Sequence, residues 1–529
     1  MKREIVLRLS PKEAADNTII KSLVAKKMKV TPEKVTYFRV VKRSIDARQK
    51  KVLVQLHIEA YANAKPPKLE PVKFEYPDVN NKPEVVIVGA GPGGYFAALR
   101  LIELGLRPIV LERGRGVNER KKDLALLNRN ESVNTESNYA FGEGGAGTFS
   151  DGKLYTRSTK RGDFKKVLEV FNFHGASEDI LIDAHPHIGT DKLPEVIKAM
   201  RQSIIDAGGE VHFDTKVTNL ILDENRITGV EVESGDKILG QAVVLATGHS
   251  ARDVYYMLDE NNVELEAKTW AMGVRVEHPQ ELIDQIQYHS PKGRGDYLPA
   301  ATYSLSCQMD NRGVYSFCMC PGGFIVPAMT DADEMVVNGM SPSKRNSPWA
   351  NSGMVVEVKP EDIGEFQNKG VLGGLEYQKE LERLAFVNGG QGVVAPAQSL
   401  ADFVDGQLSY DLPECSYVPG LVASPLHFWL PENIGMRLRK GFDYFDRRAH
   451  GFVTNEALVV GVESRTSSPV RIPRDRATFQ HVQVQGLYPC GEGAGYAGGI
   501  ASSAIDGERC AEKAWEFITG KTIADLNRK

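Results

Sequence analysis

At 529 residues the chain exceeds what one hydrophobic core supports, so about two to four domains are expected. With 42% hydrophobic and 25% charged residues it reads as a soluble globular protein rather than a disordered one, and no apolar run approaches the ~20 residues of a membrane span. The net charge of -4 hides an asymmetry: residues 1–70 carry 17 Lys and Arg against 7 Asp and Glu, which leaves -14 on the remainder.

A basic module on an acidic body suits docking on its own chain, or binding nucleic acid or an acidic partner. Docking on its own chain is the simpler reading. The N-terminal stretch has no apolar core like that of a signal peptide, so the cytoplasm is the expected location. Six cysteines are too few for a disulfide scaffold, and the C-x-C at Cys318 and Cys320 lacks partner ligands for zinc. Those two thiols read as small buried hydrophobes, with a redox role as the alternative. No metal is expected, and the oligomeric state is not legible.

Residues 1–64 predict a small α+β module. "REIVLRL" is a strand, Ser10-Pro11 starts a helix, and "VTYFRVV" and "KVLVQLHIEAY" are two further strands joined by a basic hairpin. Tyr37 and Phe38 near that hairpin suit base stacking, but no recognisable nucleic-acid motif accompanies them. Residues 65–84, with prolines at 66, 67, 71, 77 and 83, predict an extended linker. Residues 85–265 read as βαβ followed by a meander. Residues 266–450 are Gly- and Pro-rich strands with a helix near 372–385, an inserted domain. Strands resume at Phe452, so 451–529 rejoins 85–265, and the chain closes on a glycine loop and a long helix.

The chemistry begins at "VVIVGAGPGG". Gly89, Gly91 and Gly94 form a G-x-G-x-x-G between strand and helix, with Pro92 and Gly93 inside it. In such a cradle the first glycine permits the turn and the second admits a pyrophosphate. The third lets the helix pack closely, with its N-terminal N–H groups facing the phosphates. Glu112, 23 residues after Gly89, suits the ribose hydroxyls, with Arg113 beside it.

Three distant segments favour FAD over NAD. "FGEGGAGTFSDGKL" is a second glycine loop, offering Gly145, Gly147, Thr148, Ser150 and Asp151. "VVLATG" ends in Ala246, Thr247 and Gly248, where the chain returns after the meander that Val217 opens. "CGEGAGYAGGI" supplies Gly491, Glu492, Gly498, Gly499 and Ile500 ahead of a helix whose N-terminus can face the flavin. No second G-x-G-x-x-G follows a strand, so NAD(P)H enters only as a transient electron donor.

The stretches "KRSIDAR", "VVIVGAGPGG", "FGEGGAGTFSDGKL", "AHPHIGTDKLP", "LATGHSARD", "VESRTSSPVRI" and "GEGAGYAGGIASSAIDG" span nearly the whole chain. Through them the chain resembles the bacterial FAD-dependent dehydrogenases known as NAD(FAD)-utilizing dehydrogenases. More distantly it is similar to flavoproteins with a glutathione-reductase-type FAD domain. The resemblance implies FAD, an N-terminal appendage and a substrate domain inserted into the FAD domain, and no particular substrate. The expected fold is α/β: a Rossmann-like FAD-binding domain with an inserted α+β substrate domain and a small N-terminal α+β module.

The expected activity is that of an FAD-dependent oxidoreductase, a dehydrogenase or reductase passing a hydride through the flavin. The alternatives are a flavoprotein acting on RNA, with the basic module as docking arm, and a non-catalytic flavin-bound scaffold or sensor. The candidates for catalysis are Lys153, His249 and Arg465. Arg465 is read as a fixed cation for an anionic substrate, or as a structural partner of Glu463 or Glu492. Arg252 shares the anion-binding reading, and Asp191 is expected to cap the helix after it.

Overall fold

The computed structural model describes residues 1–65, 68, 72–155 and 162–526. In the N-terminal module, strands Lys2–Leu9 and Val35–Asp46 flank Leu53–Ala62 in an antiparallel sheet. Strand alternation puts Ile5, Leu7, Leu9, Val54, Leu56 and Ile58 into one core with Ile20, Val24 and Met28 of the helix Asn17–Met28. The single helix expected after Ser10 is in fact two. Ser10 and Glu13 form a reciprocal capping box on Pro11–Ala14, and Asp16 then starts Asn17–Met28 by accepting the N–H groups of Thr18 and Ile19.

The basic hairpin docks on the body of its own chain. The Arg43 guanidinium meets Asp183 at 2.6 and 3.0 Å and Asp179 at 3.1 Å, and His289 donates to the Ala47 carbonyl. Arg48, at the tip, is held by its neighbour Asp46. Prolines 66, 67 and 71 of the linker lie outside the described residues. Its later part is anchored rather than free: Phe74 packs edge-on to Phe173, Tyr76 stacks on His174, and wholly buried Val79 donates to the Ala207 carbonyl.

The cradle domain is built on a five-stranded parallel sheet in the order Leu487–Pro489, Val243–Leu245, Glu84–Val88, Arg107–Leu111, Glu210–His212. Four of its strands are almost wholly buried, as parallel strands covered on both faces must be, and the edge strand Glu210–His212 is partly exposed. The helices Pro92–Glu103 and Ile500–Thr519 pack on each other over one face. The meander Val217–Asp223, Arg226–Val232, Lys237–Leu239 forms a separate small sheet.

The insert centres on a seven-stranded sheet. Its middle strand Trp270–Pro279 lies between Trp349–Val358 and Leu458–Glu463. Leu458–Glu463, assigned from sequence to the segment 451–529, therefore pairs with the insert. The chain enters and leaves through the short ladder Glu266–Ala267 with Val470–Arg471. The helix expected near 372–385 is Gly373–Asn388.

Candidate functional site

Two glycines of the cradle answer to steric need. A Cβ at Gly89 meets the Ala246 carbonyl, and a Cβ at Gly94 runs into the carbonyl of Gly89, so the helix can approach its strand only without a side chain. Gly91 is different. A Cβ there reaches only the Gly145 Cα, at 4.0 Å, and Gly91 heads the helix Pro92–Glu103 with no side-chain cap. The second glycine loop lies against this point, since a Cβ on Gly145 would sit 3.2 Å from the Gly91 Cα. At Gly147 a Cβ would sit 3.0 Å from Ile500, at the head of Ile500–Thr519, whose N-terminus likewise has no side-chain cap.

Gly248, Gly498 and Gly499 face open space, with nothing within 4 Å of a Cβ built on any of them. Two uncapped helix N-termini and three glycines facing open space fit a long dinucleotide bearing a pyrophosphate. The fit is to FAD rather than to a short ligand because the glycines come from the return strand and the closing loop as well as from the cradle.

Several expected contacts are spent inside the protein. Buried Glu112 accepts the N–H groups of Ala90, Gly114 and Gly142 at 2.9 Å each, so it fastens three loops together. Arg113 pairs with Glu136 and Asp253 and stacks on Phe141. Thr148 donates to the Glu143 carbonyl, and Asp151 pairs with Arg345. Gly491 donates to Asp506, and Val217 opens the meander as a buried core residue. Gly93 packs against Cys490, and Ala246 continues the return strand by donating to the Val88 carbonyl.

Sequence reasoning missed what holds the second glycine loop. Arg120, fully buried, donates to the carbonyls of Asn138, Tyr139, Glu143 and Gly145. Burial lowers its pKa to about 10, partly offset by Glu112 and Glu143. Asp506 was missed as well; it pairs with Arg474 while holding Gly491. Cys490, Asp506 and Cys510 cluster closely enough to suggest a metal site, but Arg474 fills the cation's position, donating to Asp506 and approaching the Cys510 sulfur at 3.4 Å. Asp191 does not cap a helix; its carboxylate accepts the backbone N–H and hydroxyl of Ser343.

The three catalytic candidates separate. Lys153 donates to the Met319 carbonyl and ties the glycine loop to the insert. Arg465 has its guanidinium committed to Glu334, Glu382 and Thr330, not to Glu463 or Glu492, and Arg252 grips the same two glutamates. Of the three, only His249 and Arg465 line the cleft between the second glycine loop and the insert. His249 Nε2 lies 2.8 Å from the Arg465 carbonyl, and its Nδ1 lies 3.2 Å from the Glu492 carboxylate. Both partners are acceptors, so each ring nitrogen of His249 is engaged by a neighbouring oxygen. Burial raises the Glu492 pKa, but the hydrogen bond and charge of His249 outweigh it and hold that carboxyl below its usual range.

The cleft also exposes Tyr139, Ala146, Phe149, Ser150, Ser250, Asn338 and Glu463. Its floor is the insert's hairpin of Phe324–Pro327 and Val337–Met340. Glu463 is paired with Arg275, which is fully buried and also reaches Asn338, Asn351 and the Cys318 carbonyl. Cys320 is buried as expected, whereas Cys318 is exposed. It sits at a bulge in the strand Arg312–Cys320, with a left-handed backbone at φ 44°.

A glycine cradle at the end of a parallel sheet thus stands with a cleft floored by the insert's hairpin. Residues 269–466 match the family described as FAD-dependent protein, C-terminal domain-like, and residues 1–61 match a domain of unknown function, DUF8436. The chain is 40% identical over 519 residues to an uncharacterized protein of Clostridium beijerinckii, covering 94% of this chain and 96% of that one. It belongs to the same family as that protein. A thiamine thiazole synthase of Methanococcus vannielii is 26% identical over 204 residues, 36% of this chain and 66% of its own. Among solved structures, the flavin-dependent brominase Bmp2 is a remote likeness, at TM-score 0.38 and 13% identity over 85% of this chain and 82% of that one. Among the described residues no helix is long and apolar enough to cross a membrane.

Proposed function

We propose that this protein is an FAD-dependent oxidoreductase whose substrate enters the cleft between the second glycine loop and the insert. The observation that carries the reading is the open space over Gly248, Gly498 and Gly499: Gly499 heads the uncapped helix Ile500–Thr519, and Gly248 leads into His249 and Ser250 of the cleft wall. Gly91, Pro92, Gly93, Gly145 and Gly147 would hold the pyrophosphate. Gly248, Gly498, Gly499 and the N-terminus at Ile500 would lie along the flavin. The bound flavin supplies two-electron chemistry, accepting and passing on a hydride.

The chain's own residues do the rest. The uncapped N-terminus of Ile500–Thr519 would offer partial positive charge to a flavin bound beside it. His249, held between Glu492 and the Arg465 carbonyl, is fixed in orientation at the cleft wall. A pyridine nucleotide would act as a transient donor. The test is an anaerobic titration of the purified, FAD-loaded protein with NADH, NADPH and other reductants, followed by flavin bleaching. A protein that binds no FAD, with no flavin absorbance, would refute the reading.

A further inference from the structure

The ionisable groups on the cleft wall are already partnered within the protein. Arg465 and Arg252 face Glu334 and Glu382. Glu463 faces Arg275 at 3.0 Å. His249 faces Glu492 at 3.2 Å. Tyr139 is the only other ionisable residue among the described residues lining the cleft, and its hydroxyl accepts from Asn128. A charged ligand entering here would lose its hydration and find no unpaired counter-charge, which is costly.

What the wall does offer is an apolar floor and two spare polar atoms. Val326, Ala328, Val336 and Val337 are all buried and supply the floor. Asn338 Oδ1 accepts from Arg275 and from the Gly339 N–H, which fixes the amide so that its Nδ2 is the free end. Among the described residues neither Asn338 Nδ2 nor the Ser250 hydroxyl has a hydrogen-bond partner, and both residues line the cleft.

We infer that the cleft takes an uncharged, largely apolar molecule that presents one hydrogen-bond acceptor, such as a ketone carbonyl, to Asn338. This rests on the oxidoreductase reading and narrows it: the substrate is a neutral carbonyl compound, not a carboxylate or phosphate. It replaces the expectation that Arg465 orients an anion.

Equilibrium dialysis of the full-length protein against cyclohexenone and cyclohexenecarboxylate tests it, after flavin content has been read by absorbance. The enone is expected to bind at least about tenfold more tightly than the carboxylate. Asn338→Asp, which keeps the Oδ1 contacts but turns the free donor into an acceptor, is expected to weaken enone binding about tenfold. Equal or tighter binding of the carboxylate, no binding of either compound, or an Asn338→Asp variant with unchanged enone affinity overturns the inference. Absent flavin absorbance overturns the oxidoreductase reading instead, since dialysis detects the ligand whether or not flavin is bound.

Discussion

Arg252 and Arg465 close on the same carboxylate oxygen, Oε2 of Glu382, at 2.7 and 2.8 Å, and both also bind Glu334. The four side chains come from the helix after the return strand, from the end of the insert's sheet and from two further insert segments. They form a buried clasp between the two domains. Glu382 is fully buried and accepts from Ser464 as well. Desolvation would raise its pKa, yet the two guanidinium groups win and hold it well below the usual range.

Removing one member strands the others. Glu382→Ala leaves two buried guanidinium groups sharing one carboxylate, and Arg465→Ala leaves an excess of negative charge. Each is expected to cost on the order of 3–5 kcal/mol, read by urea unfolding. Arg465→Lys should rescue little, because one ammonium cannot reproduce the forked contacts. Full stability in Arg465→Ala would show that the clasp is not structural.

Gly91 and Gly94 should behave oppositely. Gly94→Ala forces a Cβ into the Gly89 carbonyl, so it is expected to destabilise by about 1–3 kcal/mol or more. Gly91→Val meets only the second glycine loop, so its melting temperature should stay close to that of the parent while flavin absorbance is lost. Retention of full FAD by Gly91→Val would move the pyrophosphate elsewhere.

Adjacent residues Glu277 and His278 push the pH dependence in opposite directions. Burial raises the Glu277 pKa to about 7, against hydrogen bonds from Ser416, so the folded chain holds a proton the unfolded chain has lost. Its contribution is full below the usual carboxyl range and is lost as pH rises to about 7. Burial lowers the His278 pKa to about 4, so its contribution is full above 6.5 and is lost as pH falls toward 4. Glu277→Gln removes the first slope. Thermal melts of that variant between about pH 4.5 and 7 should show a steeper loss on acidification than the parent. Parallel curves would contradict the assignment.

The Arg43 contact predicts salt-sensitive docking of the N-terminal module. Arg43 and Asp183 are 42% and 28% exposed, so the pair is partly screened. Limited proteolysis of the linker should accelerate in Arg43→Ala and, for the parent, in about 1 M salt. FAD content should not change in either case. Equal cleavage rates would mean that apolar packing, such as Phe74 on Phe173, carries the docking alone.

The cradle was legible in the sequence because it is local. A strand, a turn with Gly89 at φ 106° and a helix lie within Glu84–Glu103, and a Cβ on Gly94 would strike the Gly89 carbonyl five residues back. The three strands of the basic module were legible for the same reason, through period-two alternation of apolar side chains. The last strand of the insert was not legible. Leu458–Glu463 is a wholly buried apolar run that suits either sheet, and only pairing with Trp270–Pro279 assigns it.

The roles of the charged residues were decided by tertiary structure alone. Glu112, expected at a ribose, is held in place by three backbone N–H groups from segments that only the fold brings together. Arg465 looked like a substrate clamp, but its partners Glu334 and Glu382 lie 131 and 83 positions away. Local sequence determines backbone shape because steric clashes act over a few residues. The state of a buried charge depends on which opposite charge the fold brings within about 4 Å, and that is a property of the whole chain.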